Sequence, residues 1–185
     1  MVGAEGILPC PMHALPTAAC LALLFLPACG GGGGGGGAPP AANELRLRLD
    51  GATIGSGQSD GTVTLRLDPL PAGVRPTLLQ ADVVFDPARL RPSTARAPLQ
   101  ALQGAPTLDG RQMQSDSYRV VCGDAQHAAG VLLAAGPMFS LALEPVPPRA
   151  PGDVTVELRN VVVAGEDGSP LTAAGGPIVA HVTVQ

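Results

Sequence analysis

The sequence predicts an all-β chain, an antiparallel jelly-roll sandwich of about nine strands, and three observations carry that expectation. Apolar residues recur with period two from residue 44 onward, the spacing of a half-buried strand. Turn chemistry is dense, with 25 Gly, 20 Pro and Asp-Gly pairs at 50–51, 60–61, 109–110 and 167–168, residues that punctuate strands. No long amphipathic helical pattern interrupts this; only residues 90–103 leave room for a short helical turn. A chain of 185 residues, 45% hydrophobic and 14% charged, is neither a charge-rich disordered polymer nor long enough for two full-size domains.

Taken in order, Leu45, Leu47 and Leu49 alternate with Glu44, Arg46 and Arg48, and Val63, Leu65 and Leu67 alternate with Thr62, Thr64 and Arg66. Further strands are expected over 78–86, 118–122, 131–135, 138–144, 154–163 and 178–184. Phe85 falls in step with Ala81 and Val83, and Phe139 with Leu141 and Leu143, so both aromatic rings are expected inside. The opposite face of the 78–86 strand then carries Leu78, Gln80, Asp82 and Val84, which are expected to be exposed and form the candidate binding face.

Before this domain the composition changes twice. Residues 14–28 form an apolar run broken by Pro16 and Pro27. Spanning a bilayer takes about 20 apolar residues, whereas a secretory h-region takes roughly 7 to 15. The expected organisation is therefore a signal peptide over 1–28, although no Lys or Arg precedes the run. Leu26-Pro27-Ala28-Cys29, followed at once by glycine, resembles the lipobox of bacterial lipoproteins. That resemblance implies lipidation of Cys29, a mature chain beginning there, and an exported protein held on the membrane of the cell envelope. Gly30 after the cysteine implies the outer membrane if the host is Gram-negative. Residues 30–37 are all glycine and 38–43 read Ala-Pro-Pro-Ala-Ala-Asn. Such a tract has no side chains to bury and reads as a tether over 29–43, with a root-mean-square reach of about 20 Å. The folded domain is expected over 44–185.

Two segments carry a more specific likeness. Ala81-Asp82-Val83-Val84-Phe85-Asp86-Pro87-Ala88-Arg89-Leu90 resembles the cohesin pattern of an apolar strand ending in aromatic-Asp-Pro, two residues and an aliphatic. The strand from Met138, the Pro151-Gly152 turn, the strand reaching Asn160-Val161, the Asp167-Gly168 loop and the last Val-rich strand follow the order of a cohesin C-terminal half. The resemblance implies a nine-stranded sandwich whose work is noncovalent binding of a protein partner rather than catalysis. Cohesins that grip dockerins place small polar or acidic residues where this chain has Leu78 and Gln80, so a dockerin partner is not carried over. A carbohydrate-binding module of related architecture is the alternative, with a structural envelope lipoprotein behind it.

Other functions find little support. All 11 basic residues are Arg, against 15 acids, for a net charge of −4, which offers no electrostatic footprint for nucleic acid. Catalysis has no constellation: Cys122 and His127, five residues apart, read as a buried inert thiol and a loop histidine, and His181 as an exposed strand histidine. No cofactor and no metal site are expected, since Asp116, Asp124, Asp153, Glu166 and Asp167 suit turns as readily as calcium. Sugar-binding faces usually stack rings on exposed aromatics, and aromatic residues make up only 2% of the chain.

Overall fold

The computed structural model describes residues 44–102, 107–123 and 132–185, and the expected signal peptide, Cys29 and glycine tether lie outside the described residues. The described residues hold strands and turns and no helix. The strands are β1 (Glu44–Asp50), β2 (Ala52–Ile54), β3 (Gly61–Leu67), β4 (Pro76–Phe85), β5 (Leu90–Pro92) and β6 (Leu99–Ala101). They continue with β7 (Leu108–Gln114), β8 (Ser117–Gly123), β9 (Gly136–Pro145), β10 (Gly152–Gly165), β11 (Pro170–Ala174) and β12 (Ile178–Val184).

One layer is built on β1, β3 and β9, the other on β12, β10, β4, β8 and β7. Strand β10 is long enough to serve two neighbours on one side, pairing with β12 through its first half and with β11 near its end. The parallel contact of β11 with β1 closes the two layers into one curled sheet. A second parallel contact joins β12 to β2, and the remaining pairings are antiparallel. The expected sandwich is therefore present, with two short parallel joints at its seams.

Period-two alternation does the packing. Leu45, Leu47 and Leu49, Val63, Leu65 and Leu67, and Phe139, Leu141 and Leu143 face Leu79, Ala81, Val83 and Phe85 across the core, all buried. A fully buried side chain of this size contributes about 1.5–3 kcal/mol, so this interlayer contact, rather than any disulfide, holds the domain. Cys122 is a free thiol buried in the same core.

Three expectations fail locally. No helical turn forms in 90–102: β5 and β6 are two halves of one edge strand beside β9, with residues 94–97 looping out between them. That loop covers the outer side of β9. Glu144, on a nominally outward position, is only 7% exposed because Arg91 Nε (2.7 Å), the Thr94 N–H (2.8 Å) and the Thr94 hydroxyl donate to its carboxylate. Ser93 and Arg96 bind Asp60 in the same way. Residues 132–135 are not a strand either; the Leu133 N–H is used by the Pro76 carbonyl at 2.7 Å and its side chain is buried as a plug. Asp109-Gly110 is not a turn but lies within β7. The Asp167-Gly168 signal does make a turn, with Gly168 at φ 77 and Asp167 Oδ1 accepting from the Ser169 N–H and hydroxyl.

Candidate functional site

With Phe85 and Phe139 in the core, the alternation along β4 turns Leu78, Gln80, Asp82 and Val84 to the outer side of the second layer. The register adds neighbours on both flanks. Ser117, Arg119 and Val121 of β8 stand opposite Val84, Asp82 and Gln80, and Glu157, Arg159 and Val162 of β10 stand opposite the same residues from the other side. The face is less open than its sequence implies, since Leu78, Gln80 and Val84 are half-buried and Asp82 is 6% exposed.

The burial of Asp82 has a specific cause. Arg119 Nε donates to its Oδ1 at 2.7 Å and Nη2 to its Oδ2 at 2.9 Å, a two-pronged arrangement that suits guanidinium and carboxylate. Asn160 Nδ2 donates to Oδ2 at 2.8 Å. The Arg119 hydrogen bonds outweigh the burial penalty and hold the Asp82 carboxyl below the usual carboxylate range, with Asn160 helping. Asn160 reaches Asp82 because it adopts φ 51 at a break of register between Arg159 and Val162. Asn is among the few residues that accept this left-handed geometry. Arg159, next to it, turns back to Glu157 at 2.8 and 2.6 Å.

Around this fixed polar centre lie exposed apolar side chains: Val162 at 51%, Val179 at 46% and Met113 at 40% exposure. A shallow depression of about 300 Å³ opens beside it, lined by Asp82, Val84, Met113, Asp116, Arg119 and Arg159 among others. Asp116 Oδ1 is buried there without a hydrogen-bond partner. The arrangement is a broad, mixed surface with rigid charges and no enclosed cavity, which suits contact with another macromolecule better than chemistry on a small molecule. Sequence periodicity pointed to the β4 residues; the same alternation applied to 118–122 could have found Arg119, whereas Asn160 entered only as the end of a strand in the cohesin-like order and Met113 carried no signal.

The remaining candidates stay apart. Burial pushes the Cys122 thiol up to about 11, far from a reactive thiolate, and His127 and Asp124 lie outside the described residues. His181 is exposed on β12, between core residues Ala180 and Val182. Asp153 accepts from the Thr183 hydroxyl at 2.6 Å and Glu166 pairs with Arg75 at 3.0 Å. Among the described residues no group of three His, Cys, Asp or Glu gathers as a metal would need. Tyr118, Phe85 and Phe139 are all buried, so the described surface presents no aromatic ring.

The strand order and curl define a class, a cohesin-like β-sandwich. The sixth cohesin of scaffoldin B from Acetivibrio cellulolyticus, solved in complex with a Cel5 dockerin mutant, superposes with TM-score 0.61 at 14% identity over 77% of this chain and 99% of that one. The cohesin module of a family 33 glycoside hydrolase from Clostridium perfringens gives 0.58 at 9% identity over 76% and 98%. A non-cellulosomal cohesin from the archaeon Archaeoglobus fulgidus gives 0.56 at 13% identity over 76% and 91%. No family model and no curated protein matches the sequence. At such identities the likeness establishes the fold.

Proposed function

We propose that this chain is a lipid-anchored protein of the cell envelope that presents a non-catalytic, cohesin-like protein-binding module on a glycine tether. The observation that carries the reading is the outer face of β8, β4 and β10. There Asp82 is held rigid by Arg119 and Asn160 among exposed Val162, Val179 and Met113. Polar groups fixed before binding cost little further ordering, and apolar neighbours supply the area, the usual division of labour at a protein interface. Several of the similar cohesin structures were solved with dockerins bound, which supports a protein as the partner. Leu78 and Gln80 in place of small polar or acidic residues argue for a partner of different surface chemistry. Among the described residues the carbohydrate reading lacks the exposed aromatic platform that stacks pyranose rings.

Anchoring rests on Cys29 and its resemblance to a lipobox. Two or three acyl chains, at about 0.8 kcal/mol per buried methylene, hold a protein stably on a membrane.

The face is tested by affinity capture from native cells with the wild-type chain and with Gln80→Arg combined with Val84→Asp, quantifying each captured protein. A specific partner should be depleted by the double variant; retention of the wild type on cellulose, chitin or xylan at low micromolar protein would decide for the carbohydrate alternative. For the anchor, Cys29→Ala should shift the chain out of the detergent phase, and an unmodified N-terminus downstream of Cys29 in native material would remove the claim.

A further inference from the structure

Strand β7 ends the sheet order: it pairs with β8 along one edge, and no described strand pairs with its other edge. Which backbone groups point to that open edge follows from the ladder. The Gly123 N–H donates to the Thr107 carbonyl at 3.0 Å, one step beyond the Leu108–Cys122 pair. Antiparallel alternation then turns the amides of Thr107, Asp109 and Arg111 toward β8 and those of Leu108, Gly110 and Gln112 to the open side. The Gly110 N–H agrees, for it is taken by the neighbouring Asp109 Oδ1 at 2.8 Å.

Side chains alternate on the same strand. A Cβ at Gly110 would lie 2.5 Å from Leu99 Cδ2 and 2.7 Å from Tyr118 Cε1, so this position faces inward and a larger residue would have to displace those side chains. Asp109 and Arg111 therefore share the outer face, where both are exposed. Arg111 makes no ion pair among the described residues.

We propose that this edge docks a second copy of the same chain, β7 against β7, antiparallel about a twofold axis at Gly110. In that register Gly110 meets its own symmetry mate as a hydrogen-bonded pair and Leu108 meets Gln112. Asp109 then meets Arg111 on both sides of the axis, at non-hydrogen-bonded positions where cross-strand side chains come closest. The charge pattern selects this register. Centring on Asp109 or Arg111 sets like charges face to face, and centring on Leu108 or Gln112 sets Asp109 against Thr107 or Arg111 against Met113. On pairing, the Gly110 carbonyl of the second copy takes the Gly110 N–H and releases Asp109 to Arg111. The break of register between Gln112 and Gln114 ends the paired stretch, so the contact is short and the dimer weak. Pairing continues the outer sheet from one copy into the next and sets the two candidate binding faces side by side.

The proposed dimer does not depend on the protein-binding reading, because its test needs no partner. Sedimentation of the full chain in density-matched mild detergent, over roughly micromolar to millimolar concentrations, should show a reversible monomer–dimer equilibrium. Asp109→Arg alone and Arg111→Asp alone should each weaken it about tenfold or more, since each places like charges opposite one another twice. The double variant, which exchanges the two charges, should restore the dimer to within about threefold of wild type. Thermal melting of all variants serves as the check on folding. A chain that stays monomeric throughout overturns the proposal, as does a dimer indifferent to the single changes or one that the double exchange fails to restore.

Discussion

Asn160 allows backbone strain and side-chain bonding to be separated at one position of the candidate face. Its φ of 51 is left-handed, a geometry that costs an ordinary L-residue about 1–2 kcal/mol and glycine nothing. Its amide donates to Asp82 at 2.8 Å; a bond to a charged group is worth about 1.5–3 kcal/mol when buried and nearer about 1 kcal/mol at this partly open site. Asn160→Gly loses the bond but not the geometry, so it should destabilise the domain by about 1 kcal/mol. Asn160→Ala loses both and should cost about 2 kcal/mol. For a domain of this size that corresponds to falls in melting temperature of about 4 and 8 °C. Asn160→Asp sets a carboxylate against Asp82 and should cost about 2–3 kcal/mol at neutral pH, even with Arg119 and Arg159 nearby. The sign of its pH dependence is diagnostic. In the wild type the folded Asp82 carboxyl lies below its unfolded value, so its stabilisation is present above about pH 4 and is lost as pH falls. In Asn160→Asp one carboxyl of the facing pair is raised instead, and the penalty shrinks as it protonates. The two melting curves, followed by circular dichroism from neutral to about pH 4, should converge toward acid. Equal melting temperatures for the Gly and Ala variants, or parallel pH profiles for wild type and Asn160→Asp, would refute this account of the site.

Glu144 predicts a second acid-sensitive contact. Burial pushes its carboxyl up, but the Thr94 N–H, Arg91 and the Thr94 hydroxyl together hold it below its ordinary value. Its contribution is thus present above about pH 4.3 and lost on acidification. Glu144→Gln should lower stability by about 1–3 kcal/mol at neutral pH and flatten the acid limb of the melting curve; an unchanged limb would count against the contact. Cys122, with its thiol near 11 and no exposed surface, should stay unlabelled by iodoacetamide in the native chain and react only on unfolding, as read by peptide mapping. Phe139→Ala, at a position 1% exposed, should destabilise by about 3–5 kcal/mol in denaturant titration; a loss under about 1 kcal/mol would mean the ring is not the core anchor assigned to it.

Which side faces the core was legible from the residues alone for the long alternating strands. Leu45, Leu65, Val83 and Leu141 could be sorted inward, and Asp82 outward, because alternation is a property of a single extended strand and needs no partner. The same holds for the Asp167-Gly168 turn, whose conformation is set within a few residues. Tertiary structure alone decided what lies across from what. Asp82 meets Arg119 and Asn160 over separations of 37 and 78 residues. Glu144 is buried on an outward position because a loop some 50 residues earlier in the chain folds over it. Asp109-Gly110, a turn pair by local preference, is held straight by the β8 ladder, with Gly110 facing the Leu99 and Tyr118 side chains. The short strands β2, β5, β6 and β11 exist only where a neighbour supplies hydrogen bonds. A segment of three to five residues has too little periodicity to declare itself, and its extended form is stable only once the rest of the sheet has been built.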